Sequence, residues 1–92
     1  MSKTARVTLT IQNELGLHAR AATLFVNTAM KFKSEVMIEK GGREVNGKSI
    51  LGLLMLLAPK GSQIHLVSTG DDCDEQLAAL KELVDDKFRE GR

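Results

Sequence analysis

Gly16-Leu17-His18-Ala19-Arg20-Ala21-Ala22 places a histidine and an arginine where a helix begins. The first amides of a helix lack an intrahelical partner, and the helix dipole adds partial positive charge there. That field disfavours a protonated imidazole and welcomes phosphate or another anion. A neutral His18 ring among such donors can therefore take up a phosphoryl group. Arg20 adds a permanent charge whose planar donors match phosphate oxygens. Taken alone, a histidine at a helix start is more often an ordinary cap or surface residue, so the rest of the chain must decide.

Ninety-two residues make one domain, 1–92, with a core large enough to fold alone. The apolar fraction of 42% is that of a soluble globular chain. Phe25, Phe32 and Phe88 are the only aromatics, too few for base stacking, so nucleic acid is not an expected partner. Met1 to Arg6 lacks the apolar stretch of a secretory leader. The longest apolar run, Ile50 to Ala58, is too short to span a membrane. One cysteine, Cys73, excludes an internal disulfide and fits a reducing, cytoplasmic setting. Residues 1–60 carry nine basic and four acidic groups, whereas residues 61–92 carry four and eight. The part bearing His18 is thus basic, which suits a phosphate or an acidic protein.

The elements that must hold these residues follow from periodicity. Ala5, Val7, Leu9 and Ile11 alternate as one face of a strand. Ala22, Phe25, Val26, Ala29 and Met30 form one stripe of a helix. Glu35 to Lys40 and Arg43 to Val45 read as a hairpin around Gly41-Gly42. A short helix should run from Ser49 to about Met55, and a strand from Gln63 to Ser68 follows Pro59-Lys60-Gly61. A last helix carries Leu77, Leu80, Val84 and Phe88, with acids in its first turn. The order βαββαβα implies an α+β open-faced two-layer sandwich, a four-stranded antiparallel sheet covered on one face by three helices.

Gly42 to Ser49 matches the letters of a nucleotide-binding phosphate loop. The match is rejected, because Arg43–Val45 prefers extended backbone and Glu44 would put a carboxylate in the cradle. Ser49 reads instead as a helix cap, and as a place where phosphate would be tolerated. The helix after it is apolar nearly all round. Some of Ile50, Leu51 and Leu54 should therefore face water as a docking surface. His65 reads as a sheet-face residue and Cys73 as a small buried hydrophobe. His18, His65 and Cys73 share no metal-ligand spacing, and no cofactor is expected.

Gly16-Leu17-His18-Ala19-Arg20, followed by Asn46-Gly47-Lys48-Ser49-Ile50-Leu51-Gly52-Leu53-Leu54, closely resembles the HPr family. These are the histidine-containing phosphocarriers of the bacterial phosphoenolpyruvate-dependent phosphotransferase system. The resemblance covers essentially the whole chain. It implies that His18 is phosphorylated on Nδ1 by Enzyme I and that Arg20 steadies the phosphoryl group. It further implies that Ile50, Leu51 and Leu54 dock on Enzyme I and on EIIA-type acceptors of the phosphoryl group, in sugar uptake or its regulation. Ser49 matches a serine that, in some bacteria, an HPr serine kinase/phosphorylase modifies. Such proteins are carriers acting as monomers, not enzymes in the usual sense. Leu53 to Ile64 also resembles the nitrogen-related NPr branch, which implies a purely regulatory carrier as the alternative. The family usually has proline where Ala21 stands. Alanine is a good helix former and restores one free amide, so the chemistry is expected to survive.

Overall fold

The computed structural model describes residues 3–92, so Met1 and Ser2 of the N-terminal stretch lie outside the described residues. Its elements are β1 (Thr4–Thr10), α1 (Ala19–Ala29), β2 (Glu35–Lys40), β3 (Arg43–Asn46), α2 (Ile50–Met55), β4 (Gln63–Thr69) and α3 (Cys73–Asp85). The sheet order is β1-β4-β2-β3, and each neighbouring pair is antiparallel. Alternation along the strands decides which face packs. Leu9, Val36, Ile38, Ile64 and Leu66 are buried, while Thr8, His65 and Glu44 look outward. Ala22, Phe25, Val26 and Ala29 of α1 and Leu77, Leu80 and Val84 of α3 meet that inner face in one core. The open-faced α+β sandwich expected from periodicity is the fold observed.

Three details depart from the expected pattern. Ile11 lies one residue beyond β1 yet is fully buried, held by its amide to the Ser62 carbonyl at 2.8 Å. Met30 is 61% exposed, because α1 ends at Ala29 and the helical stripe ends with it. Phe88 is buried without belonging to α3. That helix stops at Asp85, and Phe88 enters the core from a turn over Lys87–Arg89.

The Gly41-Gly42 turn, with φ of 58° and 87°, closes the β2–β3 hairpin as expected. Arg43–Asn46 is consequently paired strand rather than a loop of free amides. The Lys48 ammonium donates to the Phe32 carbonyl at 3.0 Å, so it serves the α1–β2 connection. Buried polar groups fix the register of the layers. Gln76 accepts from the Ser68 hydroxyl and donates to the Ala29 and Ser34 carbonyls. Asp72, just before α3, accepts from the Lys33 and Ser34 amides and the Ser34 hydroxyl. Those bonds hold its carboxyl down at about 2.

Candidate functional site

His18 precedes α1 in extended conformation, with φ −81° and ψ −179°. Its own amide donates to the Gly16 carbonyl at 2.9 Å, and the Ala22 amide donates back to the His18 carbonyl at 2.8 Å. The amides of Ala19, Arg20 and Ala21 precede that first helical bond and lack an intrahelical acceptor. Gly16 is what allows the approach. Its φ is 68°, and a Cβ there would lie 2.6 Å from the Ala58 carbonyl oxygen. Leu17 donates to that same carbonyl at 2.9 Å, which docks the His18 loop against the segment after α2.

The His18 ring is 26% exposed, and it does not cap the helix amides. Its Nε2 is instead paired with the Glu90 carboxylate. No hydrogen bond engages Nδ1 among the described residues. A carboxylate 72 residues further along the chain, to which the sequence did not point, thus holds one of the ring nitrogens. Arg20 is exposed, and His18, Arg20 and Glu90 share a cleft with Glu14, Arg89 and Arg92. The acidic C-terminal segment therefore contributes both charge types to the site, and the two halves of uneven charge meet there. Burial pushes the Glu90 carboxyl up, but hydrogen bonds from Asn13 and His18, with the charges of His18 and Arg20, outweigh it and hold it below its ordinary value.

Beside the cleft runs an apolar rim. Leu51 is 69% exposed and Ile50 40%, whereas Leu54 is half-buried against the core. Two residues that periodicity did not single out as exposed join them. Leu15 is 72% exposed and Leu57 77%, and both line a groove with His18 and Leu54. Leu57 has φ of 51°, so it leaves the helical path and turns outward instead of continuing α2. A non-glycine residue in that region is uncommon, and its apolar side chain gains no burial there. Ser49 caps α2, its hydroxyl accepting from the Gly52 amide at 3.0 Å. His65 lies on the opposite, open face of the sheet, and Cys73 is fully buried at the start of α3.

Among the described residues, no group of three or more His, Cys, Asp or Glu side chains is arranged to hold a metal ion. No helix of the described residues is long and apolar enough to cross a membrane. Residues 5–86 match the family profile described as the PTS HPr component phosphorylation site. The chain belongs to the HPr family. It is 52% identical over 81 residues to the phosphocarrier protein HPr of Neisseria meningitidis serogroup A, covering 88% of this chain and 91% of that protein. It is also 46% identical over 82 residues to the phosphocarrier protein NPr of Shewanella violacea, covering 89% and 90% respectively. The crystal structure of HPr-C-His from Thermoanaerobacter tengcongensis superposes with a TM-score of 0.90 at 45% identity, covering 94% of this chain and 97% of that one. An HPr phosphocarrier of the phosphotransferase system accounts for the length, the element order and the helix-start histidine together.

Proposed function

We propose that His18 accepts a phosphoryl group on Nδ1 from phosphorylated Enzyme I, itself charged by phosphoenolpyruvate, and passes it to an EIIA-type protein. The observation that carries this reading is the open Nδ1 edge of His18 at the start of α1, beside Arg20 and three amides without an intrahelical acceptor. Phosphoryl transfer asks little covalent chemistry of the protein. It needs the nucleophile in line and the charge on the equatorial oxygens offset. Arg20 and the α1 amides supply the second requirement. The partially exposed ring supplies the first, because a second protein must reach it twice, once to give and once to take.

Ile50, Leu51 and Leu54, extended by Leu15 and Leu57, form the surface on which those partners dock, and the carrier acts as a monomer in the cytoplasm. Ser49 sits at the edge of that surface. Phosphate on its hydroxyl would place about two negative charges at the start of α2, next to Ile50 and Leu51. The charge would be stripped of water whenever a partner closed over it, so transfer to His18 would weaken while the fold persisted. Incubating the protein with Enzyme I and labelled phosphoenolpyruvate tests the main reading. Acid-labile label on His18 is expected, and label on another residue would sink it. The 46% identity to an NPr also favours a second reading, a regulatory branch without sugar uptake. Presenting the charged protein with EIIA-type acceptors of both branches separates the two.

A further inference from the structure

Leu57 is a leucine where the backbone calls for glycine. It is the first residue beyond the Leu56 cap of α2, and its φ of 51° is left-handed. Helices commonly end on such a residue, and glycine is the usual choice because a Cβ is penalised there. The turn itself is needed. It ends α2 and sets the Ala58 carbonyl to accept from the Leu17 amide at 2.9 Å, which ties it to the His18 loop. That need accounts for the backbone and leaves the side chain unexplained. At 77% exposure, the side chain recovers nothing from the core. A residue both strained and solvated weakens the fold, and such residues gather where a function requires them.

Leu15 supplies the second observation. It stands in the loop before His18, is 72% exposed, and lines one groove with Leu57. Leu17 and Ala58, both buried, and the half-buried Leu54 give the deeper lining. The His18 ring is the only polar side chain in that lining. The ring therefore borders two different spaces, the charged cleft it shares with Arg20 and this apolar groove. A protein that brings its own histidine within bonding reach of His18 must cover the groove, because the ring is part of it. An apolar side chain of that protein gains burial there. A charged or amide side chain loses its water and finds no hydrogen-bonding partner among the leucines.

We propose that Leu57 is a specificity-determining residue of this carrier: with Leu15 it forms a groove that takes one apolar side chain from the partner protein, and so selects which phosphotransferase branch can bring its histidine to His18. The inference rests on the phosphocarrier reading and adds a basis for choosing between the two branches. Discrimination is a difference of affinities, and one exposed leucine acts on both sides of it. It attracts a partner with an apolar side chain at this place and obstructs one whose surface there is polar. Glycine would serve the turn better, so stability is given up for the choice of partner. Ile50 and Leu51 do not line this groove. They add affinity for any partner that covers α2, without distinguishing one branch from the other.

Enzyme I proteins of the sugar and the nitrogen-related branch, each charged from phosphoenolpyruvate, test this as donors to the full chain, with kcat/KM measured for both. Wild type should prefer one of them. Leu57→Gly and Leu57→Asn both accept left-handed backbone, and each should lower the ratio of the two kcat/KM values roughly tenfold, the scale of one apolar contact in a pocket. Leu57→Met, which restores apolar bulk, should recover most of the ratio. Leu51→Ala should slow both donors by a similar factor and leave the ratio in place. Leu57→Gly should also raise the unfolding midpoint by roughly 4 °C, so a folding defect cannot explain its lost preference. A wild type without preference would overturn the proposal, as would equal losses with both donors in Leu57→Asn, or a Leu57→Gly protein that unfolds earlier than wild type. Self-association of the wild type that disappears in Leu57→Asn would overturn it too, because the occupant of the groove would then be a second copy. Phosphoramidate, a small donor, reacts with the ring directly and needs no docking. A wild type that takes no phosphoryl group from it or from either Enzyme I would overturn the phosphocarrier reading itself.

Discussion

The two histidines sit in different surroundings, although each has a carboxylate nearby. His65 is part of regular strand β4 on the open sheet face. Its Nδ1 is hydrogen-bonded with the Thr8 hydroxyl at 2.8 Å, and its Nε2 lies 3.8 Å from Glu39. His18 has the reverse arrangement, with Nε2 engaged and Nδ1 open. Around His65 the backbone amides belong to a sheet with a partner strand on either side, β1 and β2. Around His18 three helix amides lack an intrahelical acceptor and Arg20 stands beside them. A carboxylate neighbour is therefore common to both rings and does not by itself single out the proposed phosphoryl site. What distinguishes the two is which nitrogen is left open and whether donors for phosphate oxygens surround it.

The largest effect should separate the two rings outright. His18→Ala is expected to abolish labelling from Enzyme I and phosphoenolpyruvate, and His65→Ala to leave it intact, as measured by acid-labile phosphate. The apolar rim is the next difference, since His65 has none. Leu51→Glu should weaken the Enzyme I interaction by about 2 kcal/mol, roughly thirtyfold, by titration calorimetry. Its reaction with phosphoramidate should be unchanged. Ser49→Asp should lower the same affinity by a smaller factor, without moving the unfolding midpoint.

Asp72 gives the contrast for carboxylates, because its partners are two amides and a hydroxyl and never a reacting group. Its folded value of about 2 lies below the ordinary 3.8. The stability it contributes is therefore present above about pH 4 and lost as pH falls toward 2. Urea unfolding of Asp72→Asn should show a shallower loss of stability across that window than wild type, with phosphoryl transfer unaffected at neutral pH. The smallest effect is expected at Ala21, which is fully buried in the first turn of α1. Ala21→Pro should slow labelling only slightly, because it breaks no helical hydrogen bond and leaves Arg20 and the amides of Ala19 and Arg20 to face the phosphoryl oxygens. A wild type that resists labelling while this variant accepts it would break that expectation.

Much of this molecule was legible from local pattern. Period-two runs gave the strands, Gly41-Gly42 the hairpin, and the stripe of Phe25, Val26 and Ala29 the first helix, because each depends on neighbours within a few residues. The motif around His18 and the apolar crowding after Ser49 were legible for the same reason. Leu15 was not recognised as exposed, since a loop residue has no period that tells which way it faces. Leu57 lies past the end of the short helix, and its left-handed backbone has no signature in a leucine. Glu90 gave no signal at all.

The sequence by itself therefore determined the order of elements, the buried faces and which histidine is the candidate for phosphoryl chemistry, all of which follow from side-chain type and short-range spacing. Tertiary structure alone decided which nitrogen of that residue stays open. That choice depends on a carboxylate arriving from 72 residues away, through a left-handed turn made affordable by the burial of Phe88. Contacts between distant segments are set by how the layers pack, and no local propensity records them.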